Sequence, residues 1–161
     1  MRGGIWVLSI MAAVWGVGSI AVTHLPLWLA VVPIAMSVAL LLWASRQPIA
    51  GDPIESGHVG RVVGISTGIE GVAIFLVANV LVNLHLETLL LPAIAIIVGL
   101  HFLPLARWIP VPLYYRTGAA LIVVGLAACF FPPEHRAIAT GGAAALILWA
   151  SAILLVRGAR G

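Results

Sequence analysis

Six apolar runs, at positions 5–22, 28–45, 59–83, 89–106, 113–131 and 137–156, alternate along this chain with short polar or proline-containing segments. Each run approaches the roughly 20 residues that a helix needs to cross a hydrocarbon core about 30 Å thick. The pattern predicts an all-α fold, a polytopic membrane bundle of six transmembrane helices forming one transmembrane domain over residues 1–161. The first run follows the cation Arg2, as a signal peptide would, but no small-residue cleavage site follows and a second run begins almost at once. A retained helix is therefore expected.

The separators differ in length. Residues 23–27, 84–88 and 132–136 are tight turns, whereas 46–58 (RQPIAGDPIESGH) and 107–112 are connectors. Pro48, Gly51 and Pro53 break helix in the longer connector, and Asp52–Pro53 favours a turn there. Pro33 kinks the second span or lies in its first turn. The helices then form three hairpins whose turns all face one side of the membrane. Arg2, Arg46, Arg61, Arg107, Arg116, Arg157 and Arg160 fall on the side of the termini, and only Arg136 falls on the turn side. The positive-inside rule puts both termini in the cytoplasm. Trp6, Trp43, Trp108, Tyr114 and Tyr115 mark the cytoplasmic interface, Trp28 the outer one, while Trp15 and Trp149 pack between helices.

Composition excludes a soluble domain. The chain is 63% hydrophobic and 8% charged, where an ordinary soluble domain carries about a quarter charged residues. All eight basic residues are arginine, and they sit at helix ends, so a net charge of +3 points to the lipid bilayer as partner and not to nucleic acid. The lone Cys129 excludes an internal disulfide and a cysteine metal site. A Lys-free, Ala- and Gly-rich chain of this kind is expected in a bacterial cytoplasmic (inner) membrane.

The third run carries the densest pattern. Gly57, Gly60, Gly64, Gly68 and Gly71 recur every three or four residues and share one helical face. Small-xxx-small spacing lets helix backbones approach closely in lipid. Gly60, Gly64, Gly68 and Gly71 are therefore expected to be packing residues, with the other helices arranged to bury this one. Glu70 lies in the same run, nine residues past Arg61, or roughly 13 Å at the helical rise. That depth is near the middle of the bilayer, where a charge costs about 2.5–3.5 kcal/mol on insertion scales. Two outcomes lower this cost: the carboxyl keeps its proton, or it faces a partner within the bundle.

His101 is the natural partner. It precedes Arg107 by six residues in the next, antiparallel span, which brings it to a depth within about one turn of Glu70. Such a pair can share or relay a proton near neutral pH. The alternative is a histidine bonded to a backbone carbonyl freed by Pro104. Thr67, Asn79 and Asn83 complete the expected polar interior, with Asn79 and Asn83 on one face; bonds across helices are the alternative for the asparagines. Ser66 and Thr67 are expected to bond back to their own helix.

The turns carry His24, His85 and His135, with Glu87 and Glu134. These donor types suit Zn²⁺ or Cu²⁺, and His24, His85, Glu87 and His135 are the candidates, but no two have tight ligand spacing, so no metal site is expected. Asp52, Glu55 and His58 are weaker still. No zinc-protease motif, phosphate-binding glycine loop, nucleophile elbow or dinucleotide fingerprint occurs, and no cofactor is expected.

Leu42–Trp43–Ala44–Ser45 recurs as Leu148–Trp149–Ala150–Ser151, with Pro26 falling on Pro132 in the same register. Either the first and last hairpins are parallel repeats or a Leu- and Ala-rich chain has repeated itself by chance. The stretch 99–106 (GLHFLPLA), with the 92–97 run and the 114–118 segment, resembles a group of small, uncharacterised bacterial integral membrane proteins. That resemblance implies a multi-span fold and no known activity.

Three function classes remain. The first is a small proton-coupled transporter or channel-like protein built around Glu70 and His101. The second is a non-catalytic assembly or stabilising protein whose glycine face meets another copy or another membrane protein. An intramembrane enzyme has least support, because no nucleophile–base set is visible. The topology is testable by reporter fusion. A reporter after Gly161 is expected to be active in the cytoplasm, and one within 23–27 outside; an exported C-terminal reporter would defeat the six-span arrangement.

Overall fold

A computed structural model describes residues 2–47, 56–109 and 111–158, and it is all-helical. The helices are α1 (Arg2–Val22), α2 (Val31–Ser45), α3 (Ser56–Asn83), α4 (Leu90–Trp108), α5 (Leu113–Ala128) and α6 (Pro133–Gly158). Five helical stretches among the described residues are long and apolar enough to cross a membrane, and α5, at 16 residues, is shorter. The helical choice follows from the apolar runs, because only a helix or a closed barrel satisfies every backbone N–H and C=O away from water. Asp52 and Glu55 and most of the 46–58 connector lie outside the described residues, as do Pro110 and Arg160.

Two turns are built alike. His24 and His85 adopt left-handed backbone with φ of 54° and 56°. In each, the following leucine donates to a carbonyl five residues back, Leu25 N–H to Ile20 and Leu86 N–H to Leu81, at 3.2 and 2.8 Å. The histidines donate to Ala21 and Val82. These paired bonds make a Schellman cap. Histidine enters the left-handed region more readily than most non-glycine residues. A short 3-10 turn follows each cap, Leu27–Ala30 and Glu87–Leu89, before α2 and α4 begin. The expected starts of the second and fourth spans therefore fall in 3-10 turns. Pro33 and Pro92 each occupy the third position of the next helix, where a missing N–H breaks no intrahelical bond.

The chain forms two compact units, Met1–Asp52 with Gly141–Gly161, and Pro53–Thr140. In the first, α1 and α2 form a hairpin, and α6 lies against α1 where Gly141 meets Ser19 and the Trp15 carbonyl. Ile5, Leu8, Ala12, Ala145, Leu148 and Ala152 are buried there. The indole N–H of Trp149 donates to Ser37 Oγ at 2.9 Å, tying α6 to α2.

In the second unit, α4 lies between α3 and α5 and packs most tightly on α5. A Cβ added at Gly99 would sit 2.7 Å from the Gly118 carbonyl oxygen, and one at Gly118 2.6 Å from that of Gly99. Gly125 has the same relation to the Pro92 carbonyl at 2.7 Å. Arg136 closes the far end: its guanidinium donates to the carbonyls of Phe131 and Cys129 and to Thr88 Oγ1 at 3.0–3.1 Å. The cation thus sits just past the C-terminus of α5, on the carbonyls of its capping residue Cys129 and of Phe131, where a helix dipole favours positive charge.

The glycine stripe of α3 requires a correction. A Cβ at Gly60, Gly64, Gly68 or Gly71 would meet nothing within 4 Å, and no residue from Gly60 to Asn83 is fully buried. The expectation that neighbouring helices bury this face fails within the Pro53–Thr140 unit. Close backbone packing is carried instead by Gly99, Gly118 and Gly125, which the periodic pattern did not single out. Gly118→Ala forces a backbone collision and is expected to cost about 1–3 kcal/mol. Gly64→Ala meets no neighbour and is expected to cost nothing. Thermal unfolding of both variants in detergent checks the contrast, and equal losses would overturn it.

Candidate functional site

The α3–α4 hairpin gathers the polar side chains. Ser66 and Glu70 are four residues apart on α3 and so share a face. Both point at one atom of α4: His101 Nδ1 lies 3.1 Å from Ser66 Oγ and 3.5 Å from Glu70 Oε2. The carboxylate and imidazole side chains are 16% and 11% exposed. The imidazole also meets Phe102 edge-on, with ring centroids 6.0 Å apart at 84°, and Phe102 in turn leans on Tyr114 of α5 at 5.7 Å.

These three polar groups border a cavity of about 780 Å³ between α3 and α4. Val62, Ile65, Ile69, Ala73, Ile97, Leu100 and Pro104 form its apolar walls, and Arg61 and Trp108 also line it. Chemically it is an oily slot with one carboxyl, one imidazole and one hydroxyl together, and one guanidinium and one indole elsewhere in its lining. A ring nitrogen facing two oxygens can donate to only one of them. The hydroxyl of Ser66 can rotate, accepting when Nδ1 carries hydrogen and donating when it does not. The trio can therefore hold a proton in more than one place without moving a heavy atom.

The other expected polar residues go elsewhere. Thr67 is exposed, one position around the helix from Ser66. Asn79 and Asn83 are exposed and donate back to the carbonyls of Phe75 and Asn79, at 2.7 and 2.8 Å. Asn79 and Asn83 lie about 180° and about 220° around α3 from Glu70, on its other side, while Thr67, about 60° from Glu70, is exposed at the edge of the same face. Ser66, expected to bond to its own helix, crosses to α4 instead. Its four-residue spacing from Glu70 was the available signal.

The turn residues do not gather either. Among the described residues, no three His, Cys, Asp or Glu side chains are grouped as a metal site. His85 Nδ1 lies 4.0 Å from Glu87 Oε1 with both side chains largely in the open, 91% and 57% exposed. His135 is exposed near the start of α6. His24 and His85 have a backbone explanation as helix caps.

Comparison of the chain with family models, with curated proteins and with solved structures finds no match. The functional reading therefore rests on the α3–α4 hairpin itself.

Proposed function

We propose that the chain is a small proton-exchanging membrane protein, a transporter or channel-like unit whose working group is the Glu70–His101 pair. The supporting observation is the shared nitrogen: His101 Nδ1 within 3.5 Å of Glu70 and 3.1 Å of Ser66, beside an open cavity of about 780 Å³. An ionisable pair within an apolar helix hairpin is costly and marks proton or ion pathways in membrane proteins. In this reading the chain crosses a bacterial inner membrane six times as three hairpins, with both termini cytoplasmic as the arginines require. Ser66 is a positioning residue that keeps the imidazole turned toward Glu70.

Glu70→Gln keeps size and hydrogen bonding but cannot titrate, and Glu70→Leu keeps neither. Infrared difference spectra between about pH 4 and 9 are expected to contain a carboxyl band that changes with pH in the wild type and is missing from Glu70→Gln. Glu70→Gln should unfold at the wild-type temperature, while Glu70→Leu loses about 1–2 kcal/mol of interhelical bonding. A carboxyl band that never changes over this range would defeat the proton-exchange reading.

A second reading draws on a different observation. The face bearing Gly60, Gly64, Gly68 and Gly71 is open. An assembly protein would use it against another copy or another membrane protein. Gly64→Leu is then expected to reduce the assembled fraction in crosslinking without changing the stability of the isolated chain; unchanged crosslinking leaves that face to lipid.

A further inference from the structure

The cavity between α3 and α4 has mostly apolar walls, with the Glu70–His101–Ser66 trio in one part of its lining and Arg61 in another. Its volume, about 780 Å³, falls within the roughly 300–1,000 Å³ of small-molecule sites. Glu70 is the one acidic residue in its lining. A ligand filling this space needs an apolar body for Ile65, Ile69 and Leu100, and at most one polar centre for the carboxylate. Glu70 is separated from the one arginine of the lining, Arg61, by nine residues of α3, so the part of the cavity next to the carboxylate favours a positive centre, with few water dipoles competing for it. Trp108 adds an aromatic surface that also attracts cations.

We propose that the α3–α4 cavity binds a lipophilic cation, an ammonium or phosphonium centre on an apolar body, which takes the place of a proton at Glu70. The inference rests on the proton-exchange reading and supplies its ligand class. The step is a displacement: the O–H bond of the Glu70 carboxylic acid breaks, the proton passes to His101 Nδ1 and out to water, and the cation pairs with the carboxylate left behind. One cation enters for each proton released. Of the ionisable groups lining the cavity, His101 faces Glu70 from α4, and Arg61 lies on the same helix nine residues away, roughly 13 Å along the axis. Protonation of His101 opposes the cation in the same direction as protonation of Glu70, so the two must be separated by mutation.

The test is calorimetric titration of the purified, detergent-solubilised full chain with tetraphenylphosphonium. Tetraphenylborate, of nearly the same shape and opposite charge, is the control. Tetraphenylphosphonium is expected to bind, more tightly as pH rises, by about tenfold per pH unit while Glu70 is still protonated. One proton per cation should appear in weakly buffered solution. Glu70→Gln should lose binding and Glu70→Asp should restore it, which separates loss of the carboxylate from misfolding. His101→Gln should still release one proton per cation; loss of proton release there would put the proton on His101 and overturn the assignment to Glu70. Preferential binding of tetraphenylborate would overturn the proposal and make the cavity a site for anionic amphiphiles at Arg61. A carboxyl band that moves with pH, without phosphonium binding, would overturn this inference alone. A static band would remove the proton-exchange reading and this inference with it.

Discussion

An ionisable carboxyl in the middle of an apolar helix must find polar company or be expelled toward water. Glu70 finds it on the neighbouring helix, at a single ring nitrogen that Ser66 also reaches. The rest of the Pro53–Thr140 unit is arranged around delivering that nitrogen. His101 lies two positions from Gly99 on α4, or about 200° around a helix of 3.6 residues per turn. Gly99 can therefore press on α5 while His101 turns to α3. A bulkier residue at Gly99 would push α4 away from α5 and shift the imidazole.

The two sides of α4 are bonded differently. Toward α5, backbone meets backbone across Gly99, Gly118 and Gly125, with Phe102 and Leu121 buried at the seam. Such contacts gain from many short-range attractions and tolerate little displacement. Toward α3, the contact is a wide apolar slot with a few polar groups. Within the Pro53–Thr140 unit, α3 has no fully buried residue from Gly60 onward. It is the least buried helix of this unit. The close packing of α4 on α5 and the cavity between α4 and α3 thus lie on opposite sides of one helix.

The helices were legible because an apolar run of about twenty residues has one dominant outcome in lipid. Their ends were less so: the 3-10 turns after His24 and His85 depend on left-handed caps that no hydropathy pattern encodes. The approach of Glu70 to His101 could be anticipated from depth alone, since an antiparallel hairpin with a short turn fixes which positions lie level. Rotation about the helix axis could not be anticipated, and it decides that Ser66 and not Thr67 reaches the imidazole. The glycines illustrate the same limit. Gly60, Gly64 and Gly68 form a regular stripe yet face open space, whereas Gly99 and Gly118 are isolated in sequence and meet each other. Spacing identifies a smooth face; only the neighbouring helix determines whether it is occupied.

Sharing one nitrogen between two oxygens has a consequence for how α3 is held. On the proposed reading, an ionised Glu70 draws the Nδ1 hydrogen, and Ser66 is left to another acceptor. A protonated Glu70 frees Nδ1 to accept from Ser66 instead. Each state keeps a bond between α3 and α4, but the bonded residues differ by four positions, or about one helical turn. Both oxygens already lie within 3.5 Å of Nδ1, so the exchange needs only a rotation of the Ser66 hydroxyl and no movement of the helix. Protonation at the trio and occupancy of the slot beside it are in this way linked on the proposed reading, because an occupant that pairs with the carboxylate selects one proton state.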